Sequence, residues 1–124
     1  MEQHPYDELL GPFYDANGAQ KYLGLTADQL LGLVEEQKIL SLVTSDGSTL
    51  FPTFQFKDGQ VDRNIIGVLN TFHGSGVDGW AIAWLLSTKD SRLGTTPRQY
   101  LENGGQPMSI VWLAAEARNR WTAP

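Results

Sequence analysis

The spacing of apolar residues along the chain alternates between helical and strand-like, and each change predicts an element. Residues 1–12 keep no period: Pro5, Gly11 and Pro12 interrupt them and Glu2, Asp7 and Glu8 solvate them, so they are expected to form a flexible tail, pinned at its end by Leu9, Leu10 and Phe13. Asp15 is a good N-cap for a short helix over 16–23, with Ala19, Tyr22 and Leu23 on one side and Gly24 as its C-cap. Thr26 caps a second helix to residue 36, Gln29 completes a capping box, and Leu30, Leu33 and Val34 form the inward stripe. After Gln37 the period shortens. Residues 39–44 are β-prone, Asp46-Gly47 predicts a two-residue hairpin turn, and the returning strand at Thr49-Leu50-Phe51 must end or lie at an edge at Pro52. Phe54 and Phe56 alternate with Thr53 and Gln55, which predicts one aromatic face packed on the helices, and residues 57–60 form a second turn. Helix, turn, helix, hairpin is the winged-helix order.

From Asn64 the helical spacing returns. Ile65, Val68, Leu69 and Phe72 predict one helix ended by Gly74-Ser75-Gly76, and Asp78 caps the next, over 79–87, which is apolar nearly all round. A crossover loop follows. Thr96 as N-cap, Pro97 at the first helical position and Gln99 as the capping-box partner predict a short helix to residue 103, closed by Gly104. Pro107 starts the last helix, with Met108, Val111, Trp112 and Ala115 expected inward and Arg118 and Arg120 at its end. The expected fold is mainly α with a small β hairpin: a winged helix-turn-helix lobe over 13–62 and a helical lobe over 63–124. The apolar surfaces of the helices at 65–72 and 79–87 suggest a homodimer.

Composition narrows the chemistry. The 124 residues include no cysteine, which excludes disulfides and thiolate sites. No apolar run approaches the roughly 20 residues that span a bilayer, and the first residues lack a signal peptide's pattern, so a cytoplasmic protein is expected. The net charge of −5 is divided unevenly: residues 1–62 hold ten acids against three bases, and residues 63–124 four acids against six bases. An acidic first half opposes phosphate, and the second predicted helix carries Asp28, Glu35 and Glu36 with no Lys or Arg. Glu35 and Glu36 are sequence neighbours and point apart, the glycine pairs lack phosphate-loop flanks, and His4 and His73 belong to no metal-ligand constellation. No enzyme, metal or cofactor is expected.

Two resemblances follow from particular residues. Trp84, Leu85, Thr88, Asp90, Leu93, Gly94, Pro97, Leu101, Gly104 and Val111 resemble the toxin-binding domain of Xre/MbcA/ParS-type antitoxins, with Lys89 where that family usually has Pro and Thr95 where a second Gly is common. The resemblance implies a non-enzymatic antitoxin whose partner is a RES-type toxin that attacks NAD. Its partner-binding residues would be Trp84, Lys89, Asp90, Arg92 and Arg98. Over nearly its whole length the chain is also similar to a small actinobacterial family of winged-helix regulators, through Tyr14 to Phe56 and notably Tyr22-Leu23-Gly24-Leu25-Thr26, Asp46-Gly47 and Phe51-Pro52. That likeness implies the alternative function, a DNA-binding transcriptional regulator, using Lys21, Thr26, Gln29 and Lys38. Partner capture by the C-terminal lobe is the leading expectation.

Overall fold

The computed structural model describes residues 9–124. Most of the expected tail, with His4, lies outside the described residues; Leu10 is buried in the core with Leu9 packed beside it. The first strand, β1 (Phe13–Tyr14), leads into α1 (Ala16–Leu23) and α2 (Ala27–Glu35), followed by β2 (Leu42–Val43) and β3 (Thr49–Pro52). A 3₁₀ turn over Thr53–Gln55 connects to β4 (Phe56–Lys57) and β5 (Gln60–Val61). The rest is helical: α3 (Arg63–Phe72), α4 (Gly79–Ser87), α5 (Pro97–Glu102) and α6 (Pro107–Thr122). The molecule is thus mainly α with small antiparallel sheets, one ordered β1-β3-β2 and the other β4-β5.

Local instructions set most boundaries. Asp15, Thr26, Asp62, Asp78 and Thr96 each accept a backbone N–H in the first turn of the helix they precede. At Thr26 the capping box is complete. At Thr96 only half of the expected box forms, because the Gln99 amide donates to Asn103 Oδ1 at 3.2 Å instead of turning back. The two Asp-Gly turns also differ. Asp46-Gly47 lies in a three-residue loop, not a two-residue one: Thr44 and Ser48 close it, Gly47 alone has positive φ, and the Asp46 carboxylate bonds the Thr44 hydroxyl and the Ser48 N–H. At Asp58-Gly59 both residues have positive φ between paired Lys57 and Gln60, which is the two-residue I′ geometry.

Two apolar clusters hold the elements. The smaller gathers Ala19, Leu30, Ile39 and Phe51, ringed by Tyr14, Leu23, Leu33, Val34, Phe56 and Val61. The larger joins Leu10, Leu40 and Leu42 to Ile65, Val68, Leu69 and Phe72 of α3, to α4, and to Ile110, Ala114 and Ala117 of α6. Ile39 and Leu40 are consecutive yet enter different clusters, so the chain here passes from one to the other. Each fully buried Leu, Ile or Phe contributes about 1.5–3 kcal/mol. Phe54 and Phe56 likewise divide: Phe56 stacks with Tyr14 and meets Tyr22 at a tilt, while Phe54 packs on the larger cluster beneath Arg98. The single aromatic face expected there does not form, because the 3₁₀ turn breaks the alternation.

Gln55 lies inside that turn and is fully buried. Its Oε1 accepts from Leu40 N at 2.7 Å, and its Nε2 donates to Leu40 O at 2.8 Å and Pro52 O at 3.1 Å. The side chain thereby replaces a missing strand for Leu40. A different close approach seats α4: a Cβ on Gly79 would stand 2.0 Å from the Ser41 carbonyl oxygen, so only glycine permits the helix start to reach the β2 segment.

The last helix turns inward only part of the face expected: Val111 lies against Gly67 of α3 and Ala115 is half-buried, but Met108 and Trp112 point out. Ile110, Ala114 and Ala117 point inward against α3, whereas Trp112 and Met108 are 72% and 59% exposed. Small inward residues let α6 approach α3 closely, a preference that outweighs the size of Trp112. The helices proposed for dimerisation instead bury Ile65, Val68, Leu69, Phe72, Ile82, Ala83 and Leu86 in the core. Among the described residues no helix is long and apolar enough to cross a membrane.

Replacing Gln55 by Leu strands the Leu40 N–H and C=O and the Pro52 carbonyl away from water. With about 1–3 kcal/mol for each unsatisfied buried group, partly relieved by relaxation, the variant is expected to lose about 2–4 kcal/mol in urea unfolding; an unchanged midpoint would show that these bonds are dispensable.

Candidate interaction surfaces

The helix-turn-helix presents α2. Leu30 points inward, and Ala27, Asp28, Leu31 and Glu35 form an exposed stripe, with Leu31 54% exposed. Thr26 and Gln29 sit at the exposed start of the helix but are engaged with each other: Thr26 N donates to Gln29 Oε1 at 2.9 Å and Gln29 N to Thr26 Oγ1 at 3.2 Å. The Gln29 Nε2 remains outside that exchange. Lys21 is exposed in the last turn of α1, and Lys38 pairs with Glu36 at 2.9 Å. The structure therefore brings the four expected DNA-facing residues to the helix-turn-helix unit, with two fixed as a cap and one in an exposed ion pair. The loop Ser45–Ser48 forms the exposed wing tip.

Behind α2, Leu23, Leu25, Leu33, Val61 and Ile66 line a shallow groove of about 440 Å³, rimmed by Lys38 and the Asp58-Gly59 turn. It contains no pairing of nucleophile and base. Among the described residues no group of three His, Asp or Glu side chains is placed to hold a metal ion.

The crossover loop is a closed structure. Asp90 and Thr95 bridge its ends, and the Asp90 carbonyl accepts from Leu93 N and Gly94 N. The Asp90 carboxylate accepts from Arg92 N at 2.8 Å and from the Arg92 guanidinium at 3.1 Å. Arg92 also reaches Glu116 of α6 with two bonds, at 3.1 and 3.2 Å, and Arg120 meets the same carboxylate at 3.3 Å. Hydrogen bonding from Arg92 holds both Asp90 and Glu116 below the ordinary carboxylate range, against the opposing effect of desolvation. In return Asp90, then Glu116, raise Arg92 further above its already high value.

Of the residues expected to meet a partner, Trp84 is 45% exposed and Lys89 is exposed. Asp90 and Arg92 are joined in the latch just described. Arg98 turns inward: its Nη2 donates to Leu9 O at 3.2 Å and its guanidinium lies 4.7 Å from the centre of the Phe54 ring, so burial lowers its pKa. Its role in the fold is to tie the first described residues to the C-terminal lobe. Trp112 and Met108, the most exposed apolar residues of the C-terminal lobe, lie off the face their spacing predicts; the line Ile110, Ala114, Ala117 at helical spacing is the signal for the inner face.

A helix-turn-helix with a wing, joined to a C-terminal helical lobe, is the class that this architecture defines. No protein-family model matches the chain, and no curated protein sequence matches it significantly. Among solved structures, the NMR structure of Rv2175c is similar, with a TM-score of 0.74 over 86% of this chain and 81% of that one, at 22% sequence identity. The likeness spans both lobes and concerns the fold.

Because both folded carboxylate values are depressed, the Arg92 latch is complete above the ordinary carboxylate range and is lost as the pH falls through the lower, folded values. Side-chain NMR signals of Arg92 are expected to hold steady above the ordinary range and move below it, and in Glu116→Gln to follow the titration of Asp90 alone. A transition at the ordinary carboxylate value in the native protein would show that the latch does not form in solution.

Proposed function

We propose that this chain is a non-enzymatic DNA-binding regulator of the winged-helix type, which meets duplex DNA with the start of α2 and with the wing tip at Ser45–Ser48. The observation that carries this reading is the outward presentation of α2: its capped first turn and its stripe Ala27, Asp28, Leu31 are exposed, while Leu30 anchors it to the core. In helix-turn-helix proteins the beginning of the second helix contacts base edges. Here the Gln29 Nε2 can donate to a purine, Ala27 and Leu31 can contact thymine methyl groups, and Asp28 can accept from a cytosine amino group.

Charge sets the strength of this interaction. Lys21 and Lys38 are the bases on the helix-turn-helix unit. Exchanging the exposed Glu36 partner of Lys38 for a phosphate loses little, since such surface pairs are worth at most about 1 kcal/mol. Neutral donors, namely wing hydroxyls and the backbone N–H groups of the α2 start, supply the remaining positioning contacts. Binding is thus weak and only mildly salt-dependent compared with basic winged-helix proteins.

The resemblance to antitoxins supports a second reading, capture of a RES-type toxin by the C-terminal lobe. Exposed Trp84 and Lys89 favour it, whereas the internal commitments of Arg92 and Arg98 remove two of its expected contacts. Co-expression with a RES-type toxin encoded beside it is the test: co-purification and restored growth are expected under this reading, and neither occurs if it is wrong.

For the DNA reading, titration of the chain's own upstream DNA is expected to give binding at about 50 mM salt with a log–log salt slope of about −2 per protomer. Lys21→Ala should reduce the slope by about one, and Thr26→Ala should weaken α2 by about 1 kcal/mol. Absence of binding at the lowest salt overturns the proposal.

A further inference from the structure

The outward face of α6 has two halves of different chemistry. Met108 and Trp112 occupy successive turns, and both are more exposed than buried. One turn further on, Glu116 gathers the guanidinium groups of Arg92 and Arg120, whose side chains are 57% and 60% exposed. Positions four apart lie on one helix face, so the apolar half and the guanidinium half are continuous.

We infer that this face binds a second copy of the chain in a twofold, antiparallel pairing of α6 helices. The reason is self-complementarity. Two antiparallel copies centred between Trp112 and Glu116 place each Trp112 ring on the other copy's Arg92–Glu116–Arg120 group, and each Met108 along the apolar stem of the other copy's Arg120. The guanidinium faces meet an aromatic face rich in negative potential, and the carboxylate between them keeps their geometry fixed. A twofold axis repeats the contact twice, as an isologous interface requires. The α6 helix spans about 24 Å at 1.5 Å per residue, long enough to carry both contacts.

The patch is small beside the roughly 800 Å² per partner of stable dimers, so association is reversible and sets in at roughly tens to hundreds of micromolar protein. The surface does not depend on what α2 binds.

Sedimentation equilibrium over that range tests the pairing. A monomer–dimer equilibrium is expected, with the dissociation constant raised at least about tenfold by Trp112→Ala and also raised by the double variant Arg92→Ala/Arg120→Ala, while Trp84→Ala leaves it unchanged. Far-UV circular dichroism checks the fold, with Trp112→Gln as the substitute if the alanine variant loses helix. The decisive measurement is a mixture. One copy carrying Trp112→Ala and one carrying the double arginine change restore one of the two contacts, so the mixed dimer forms more tightly than either variant alone. A monomer at every concentration, a dimer indifferent to Trp112, or a mixture no tighter than its components overturns the inference.

Discussion

The bonds between the Gln55 amide and Leu40 are the constraint on which the arrangement of the lobes depends. Leu40 follows Ile39 at the point where the chain passes from the smaller apolar cluster to the larger one, and neither backbone group of Leu40 is in a strand. A segment buried on both sides without a ladder would leave its N–H and C=O unpaired. Gln55 supplies one acceptor and one donor at the required spacing and also bonds Pro52, which fixes the end of β3. The same turn then directs Phe54 to one cluster and Phe56 to the other. Through this one side chain the sheet, the helix-turn-helix unit and the C-terminal helices acquire a common frame.

Charge is organised in a second way. Four of the nine bases are engaged by the fold: Arg98 caps the Leu9 carbonyl over Phe54, Arg92 links the crossover loop to α6, Arg120 meets Glu116, and Lys38 sits by Glu36. What the molecule offers outward is therefore less basic than its composition implies. The helix-turn-helix surface is acidic and apolar with few bases, and the C-terminal lobe offers aromatic and methionine side chains beside neutralised guanidinium groups. Function assigned to either surface must work through shape, apolar contact and neutral hydrogen bonds more than through net charge.

Local signals were legible where they act within one turn. The caps at Asp15, Thr26, Asp78 and Thr96, the αL glycine at position 24 and the buried spacing of Ile65, Val68, Leu69 and Phe72 are all read directly from residue type and interval, because their physics involves partners three or four residues away. The order of elements, and with it a mainly α fold carrying a small wing, follows from the same rules. The candidate surfaces were less legible. Trp84 and Lys89 lie at the surface, whereas Arg98 and Arg92, expected to meet a partner, are held within the fold by Leu9 and Glu116, which are too distant in sequence for local spacing to reveal.

Capping preferences and apolar period thus determined by themselves which segments are helices, where they begin, and that a hairpin follows the helix-turn-helix pair. Only the tertiary structure decided which face of α6 turns inward, since the close approach of Ala114 and Ala117 to α3 outweighs the larger apolar area of Trp112. It likewise decided that the first Asp-Gly turn takes a third residue, because the Asp46 side chain bonds Thr44 and Ser48 within the loop. Gln55 is the clearest case: nothing near it in the chain calls for a buried amide, and its role exists only once Leu40 is brought against it.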